Sequence, residues 1–228
     1  LRFVSFAAAH VVWDCRGQRQ HFSGTIAWGF SGMEQCVPWI IDYETVLQQM
    51  KSQGFKCLYY NSGAFGFPET ALTRTLAWTG PEDPTVKPAA RELMRPVGPP
   101  YETNLATMAA KLWQQKLLGR AWLMPMSHWS YELSHGSREW MPALIENLDV
   151  DPGLLENRNN AAAIEFGAEE IEPFTHFVGR LLLMLNNSDF MIAFPGRGTL
   201  CTVHHHKQLW WTTTDDAVLE AVEELAVG

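Results

Sequence analysis

The sequence predicts an α+β fold: a mostly antiparallel sheet, open to some parallel pairing, that includes a C-terminal three-stranded meander and has helices packed against it. Three observations predict it. Residues 188–213 read as successive strands joined by tight turns. Apolar stripes at helical spacing recur over 104–118, 169–186 and 216–226. The strand-like segments elsewhere are short and are broken by glycine and proline.

In the meander, Phe190, Met191, Ile192, Ala193 and Phe194 form an apolar run too short for a typical helix and closed by Pro195. Pro195-Gly196-Arg197-Gly198 joins a proline of fixed φ to two glycines free to take positive φ, which is hairpin chemistry. From Thr199 onward the residues alternate. Leu200, Thr202, His204 and His206 share one face, and Thr199, Cys201, Val203 and His205 the other. Gln208 to Thr213 is rich in Trp and Thr, which fit a pleated, half-buried surface. The turn before it is placed at Lys207-Gln208.

Along the rest of the chain, Val11-Val12-Trp13 and Thr25 to Trp28 flank polar Arg16 to Gln20 and suggest a hairpin with a longer loop. Asp42 offers an N-cap to a helix carrying Tyr43, Val46, Leu47 and Met50, and Gly54 ends it. Phe55 to Tyr60 follows at once as a strand, the αβ half of a βαβ unit, hence the room for parallel pairing. Ala71 to Trp78 is a further strand. Six prolines lie between Gly80 and Pro100, leaving space for one short helix with Pro88 in its first turn and for no central strand. That segment, 81–100, divides an N-terminal α/β part, 1–80, from a C-terminal α+β part, 101–228, and the two can still close into one domain. Beyond it, Leu105, Met108, Ala109, Leu112, Trp113 and Leu117 form one stripe, capped by Thr103 or Asn104 and stopped at Gly119. Ala121 to Met126 and Ala161 to Phe166 are strands, and a helix starts near Trp140. Phe174, Phe177, Val178, Leu181 and Leu182 mark the next helix, and Val218, Leu219, Val222 and Leu225 the last.

The totals exclude some functions. At 228 residues, 46% hydrophobic and 18% charged, the chain is long and apolar enough for a substantial core. A net charge of −8 without any Lys/Arg cluster argues against a nucleic-acid partner. No apolar run has the length of a membrane span, so no membrane partner is expected. Arg2 alone is a thin positive region and no small-residue cleavage site follows it, so no leader is expected, although a start at Leu1 fits a chain that has lost upstream residues. Cys15, Cys36, Cys57 and Cys201 form no CxxC pair and read as reduced thiols of a cytoplasmic protein, with two disulfides as the alternative if it is exported.

Chemistry concentrates in two places. His204 and His206, at i and i+2 on one strand face, can reach a single divalent ion, with Asp189 or His128 as a further ligand. The second is Ser127 to His135, where His128, Glu132 and His135 would line one stripe of a helix. Its Trp-Ser-Tyr content and Gly136 favour loop or strand over helix, and as a loop it would present His128, Trp129 and Tyr131 to a ligand. Arg197, in the Pro-Gly turn, completes the candidate ligand-binding set. Asn61 to Pro68 matches neither the dinucleotide fingerprint nor the P-loop and reads as a turn with two buried phenylalanines. Gly29-Phe30-Ser31-Gly32 lacks the spacing of a nucleophile elbow, and Cys201 stands too far from His205 along one strand for direct contact. One of Trp210 and Trp211 must face the second side of the sheet, where the 169–185 or the C-terminal helix is expected to cover it. The expectation is a non-catalytic domain that binds a small molecule or a protein and needs no cofactor. The alternative is a metal-dependent hydrolytic enzyme using His204 and His206.

Overall fold

The computed structural model describes residues 12–13, 19–20, 38–81 and 87–227. The chain forms two compact units, Leu1–Cys36 and Val37–Gly228. In the first, β1 (Val12–Trp13) pairs antiparallel with β2 (Arg19–Gln20). The partner of Val12 and Trp13 therefore comes from within the polar stretch expected to be loop, and Thr25 to Trp28 lies outside the described residues.

The second unit is built on an eight-stranded sheet. Its strands in spatial order are β3 (Trp39–Ile41), β9 (Ala163–Phe166), β8 (Ala121–Pro125), β10 (Phe190–Ala193), β11 (Thr199–His204), β12 (Gln208–Thr213), β6 (Arg74–Thr79) and β7 (Met94–Pro96). Every pairing is antiparallel except β6 with β7. The meander of β10, β11 and β12 sits in the middle of the sheet. The α+β prediction and its central ribbon are thus what the chain forms.

The parallel pair arises elsewhere than expected. After α1 (Tyr43–Ser52), the segment read as a long strand makes only β4 (Lys56–Cys57), which pairs antiparallel with β5 (Phe65–Gly66) in a separate ribbon. The parallel partner β7 comes from the proline-rich segment, reached through the single turn α2 (Pro88–Arg91), and lies at the sheet edge, where proline is tolerated. Pro88 occupies the first turn of α2, where its missing N–H costs nothing.

Alternation along the strands gives the sheet two apolar faces. Cys201, Val203, Leu209, Trp211, Trp78, Phe190 and Ile192 face a large core shared with α3 (Tyr101–Leu112), α7 (Ile171–Met184) and α8 (Asp216–Val227). Trp122, Met124, Met191, Ala193 and Leu200 face the opposite way, against Tyr43, Val46 and Met50 of α1 and against Phe55 and Phe65. Trp78 also donates from Nε1 to the carbonyl of Val222 at 2.8 Å, which ties α8 to β6. Asp215 caps α8 through the N–H of Ala217 at 2.9 Å.

Helix α3 begins at Tyr101, after Pro100, and so earlier than a Thr103 or Asn104 cap would place it. It runs into a π-helical turn, Trp113–Leu117, and stops where Leu118 and Gly119 turn left-handed at φ 53° and 68°. Three shorter helices follow: α4 (Trp129–Tyr131), α5 (Met141–Glu146) and α6 (Gly153–Glu156). The glycine-rich loop after β4 serves packing. A Cβ on Gly63 would lie 2.3 Å from the carbonyl oxygen of Pro125, whereas the glycine N–H donates to that same oxygen at 3.1 Å.

Candidate functional site

The site forms where β11 turns into β12. The strand ends at His204, which pairs with Gln208, so His205, His206 and Lys207 make a three-residue hairpin loop whose last residue is left-handed, at φ 59°. Three-residue hairpin loops commonly end on a left-handed residue that restores the ladder. The strand was expected to continue through His206, placing His205 on the opposite face. The turn overturns that, because residues beyond His204 no longer follow the alternation of a pleat. All three rings converge instead. Their centroids lie 4.3 Å apart for His204–His205, 4.3 Å for His205–His206 and 5.0 Å for His204–His206. One ring nitrogen from each falls within 4.8 Å of the others, and this is the one such group of metal-capable side chains among the described residues. His204 and His205 are half-buried and His206 is exposed.

Asp189 is the anchor of this cluster. Phe190 pairs with Val203, so the residue before it falls opposite His204. Its Oδ1 accepts from the backbone N–H of His205 at 3.0 Å and from Nδ1 of the same ring at 2.9 Å. Its Oδ2 stands 3.9 Å from Nε2 of His204. A carboxylate accepting at Nδ1 requires the proton there, which leaves a lone pair on Nε2 of His205. The N–H of His206 donates to Nδ1 of His204 at 3.2 Å, drawing the exposed end of the turn back onto the strand.

Behind Asp189 lies the second sequence candidate. The N–H of Met126 donates to the carbonyl of Asp189 at 2.9 Å, which brings the segment from Ser127 to His135 alongside. That segment is helical and not the expected loop or strand: α4 passes into a π-helical turn over Glu132–Gly136. The wider turn breaks the stripe that a regular helix would have given. Glu132 is fully buried and accepts from the hydroxyls of Ser127 at 2.8 Å, Ser137 at 3.1 Å and Ser188 at 3.2 Å. Burial pushes its pKa above the usual glutamate range, the three hydroxyls oppose that, and the charge of Asp189 adds to it. His135 is exposed, stacked on Tyr131 with centroids 6.0 Å apart and bonded to Ser134 Oγ at 2.8 Å. His128 is half-buried, and its Nδ1 has no hydrogen-bond partner among the described residues.

The remaining sequence candidates scatter. Trp129 is wholly buried, donates from Nε1 to the carbonyl of Ala162 and packs edge-on against Phe190, which makes it a core residue that no surface ligand can reach. Tyr131 is exposed. Arg197 donates from Nε to the carbonyl of Leu117 at 2.6 Å and lies beyond the far end of β11. Roughly 17 Å of strand separates that end from His204. Cys201 is fully buried on the helix-facing side, and burial raises its thiol well above the ordinary range, which removes it as a nucleophile. Cys57, the other described cysteine, is also unbridged. Ser31 and its glycines lie outside the described residues. Trp211 packs on Trp78 with centroids 5.1 Å apart, on the side of α7 and α8, so the residue facing away from those helices is Trp210. It is half-buried, and its Nε1 donates to Gln208 Oε1 at 2.8 Å.

Sequence reasoning missed His205 as a member of the cluster and the serine cage around Glu132. The Ser188-Asp189 step ahead of an apolar strand was the one available signal, since a polar pair there must find partners at the sheet end. Among the described residues, no helix is long and apolar enough to cross a membrane. Compared with protein-family models, curated proteins and solved structures, the chain matches none.

Proposed function

We propose that this protein is a binding domain for a divalent transition metal, held by His204, His205 and His206 with Asp189 orienting the second of these rings. The observation that carries this reading is the convergence of three imidazoles within 4.8 Å on a carboxylate-anchored turn. Imidazole donors suit zinc, copper(II) and nickel. Ligands of a tetrahedral zinc stand about 3.3 Å apart, given a bond of about 2.0 Å, so the rings close inward by modest rotations about their side-chain bonds. The hydrogen bond that Nδ1 of His205 donates to Asp189 is the outer-shell contact that metal-binding histidines use to present Nε2. Nδ1 of His204 accepts a hydrogen bond, which puts the proton of the neutral ring on Nε2, so that proton must pass to Nδ1, with loss of this bond, before Nε2 can take an ion.

A hydrolytic metal enzyme is the second reading. It is favoured by the exposure of His206, which leaves a coordination position open to water, as in catalytic zinc sites with three protein ligands.

The test is a titration of zinc or cobalt(II) into untagged protein. One ion per chain is expected, and it is lost when His204, His205 and His206 are all replaced by alanine. Absence of stoichiometric binding, or binding that survives the triple replacement, sinks the proposal. Hydrolysis of activated esters that tracks bound metal would favour the second reading.

A further inference from the structure

A polar row crosses the sheet at the histidine end. His204 pairs with Gln208, Gln208 pairs with Thr79, and Asp189 falls opposite His204 on its other side. Their neighbours Val203, Leu209, Trp78 and Phe190 all face the helices, so the four polar residues share the opposite face. Adjacent members of such a row have Cβ atoms about 4.5–5.5 Å apart. Two of them are buried without a partner: among the described residues, nothing hydrogen-bonds to Nε2 of Gln208 or Oγ1 of Thr79, which are 2% and 7% exposed as residues. Buried polar atoms left unpaired are rare, and two side by side point to a missing component.

The chemistry of that component follows from what is already taken. An indole N–H can only donate, so the contact with Trp210 fixes the oxygen of the Gln208 amide and leaves its nitrogen, a donor, as the unused end. The threonine hydroxyl beside it can also donate. Two unused donors in one row with His204 call for oxygen. The row holds no cationic side chain and already contains Asp189, so a planar monoanion suits it better than a dianionic phosphate.

We infer that Gln208 and Thr79 form a carboxylate subsite beside the metal position, so that a small carboxylate binds with one oxygen on the ion and the other on the amide and hydroxyl donors. This rests on the metal reading above. It would make the bound ion a receptor for organic acids, with the donors selecting the ligand. Gly80 supports the arrangement by holding β6 to the turn. Its N–H donates to the carbonyl of Lys207 at 2.9 Å, and a Cβ there would come within 3.2 Å of Tyr101.

The experiment titrates cobalt(II) into untagged protein, reads its visible spectrum, and then adds acetate or inorganic phosphate at constant ionic strength. Wild type is compared with Gln208→Met, Thr79→Val and Thr79→Ser. Acetate is expected to shift the cobalt spectrum saturably in wild type and in Thr79→Ser, which keeps the hydroxyl. Gln208→Met and Thr79→Val should each need about tenfold more acetate, the loss typical of one hydrogen bond to a charged group, with cobalt affinity unchanged. Cobalt binding without an acetate response, an equal response in all four proteins, or a response to phosphate alone overturns the subsite while leaving the metal reading intact. Failure of cobalt to bind overturns both. Should Gln208→Met fail to fold, the near-isosteric Thr79→Val and Thr79→Ser pair decides.

Discussion

Asp189 holds His205 twice through a single oxygen: Oδ1 takes the backbone N–H at 3.0 Å and the ring Nδ1 at 2.9 Å. The same carboxylate therefore sets where the turn sits and which ring nitrogen faces outward.

Replacing Asp189 tests that coupling. Asp189→Ala is expected to weaken metal binding by about 10- to 100-fold, the usual cost of losing an outer-shell partner. Asp189→Asn keeps an acceptor and should lose less. Titration calorimetry reads the affinities, and nitrogen NMR of the metal-free protein should find the proton of neutral His205 on Nδ1 in wild type. A proton on Nε2, or an alanine variant that binds metal as wild type does, contradicts the assigned role.

Glu132 predicts a pH dependence of stability. Burial raises its pKa in the folded state, so folding favours the protonated acid. Its contribution is fully present below the pKa of an unfolded glutamate and is lost as pH rises through the higher folded value. Glu132→Gln carries no such proton and should flatten this part of the profile, becoming the more stable of the two proteins on the alkaline side. Chemical denaturation across a pH series measures it. Parallel profiles for the two proteins would show that the carboxyl ionises in the native protein as easily as in the unfolded chain.

Trp129 separates core from ligand surface. It is fully buried against Phe190 and bonded to Ala162, so Trp129→Ala should cost about 3–5 kcal/mol of stability, as large-to-small changes of aromatic core residues do. Tyr131→Ala, three-dimensionally its exposed neighbour in α4, should lie within about 0.5 kcal/mol of wild type. Thermal or denaturant unfolding decides between them, and equal small effects would return Trp129 to the surface.

The sequence by itself determined the elements whose signal is local. Alternation over Thr199 to His204 and the stripe Phe174, Phe177, Val178, Leu181 were enough to place β11 and α7, because each buries one face and the spacing of apolar residues records it. The short β4 was misjudged because Phe55 packs under α1 and the chain then leaves the pleat, a matter of tertiary contact that an apolar run does not encode. The site was decided by the tertiary structure alone. A left-handed Lys207 turns His205 and His206 onto His204, the register of β10 sets Asp189 opposite them, and the π-helical turn carries Glu132 into a cage of serines drawn from three segments. Side chains in turns and at strand ends follow no period, so only the pairing of distant strands says which of them meet.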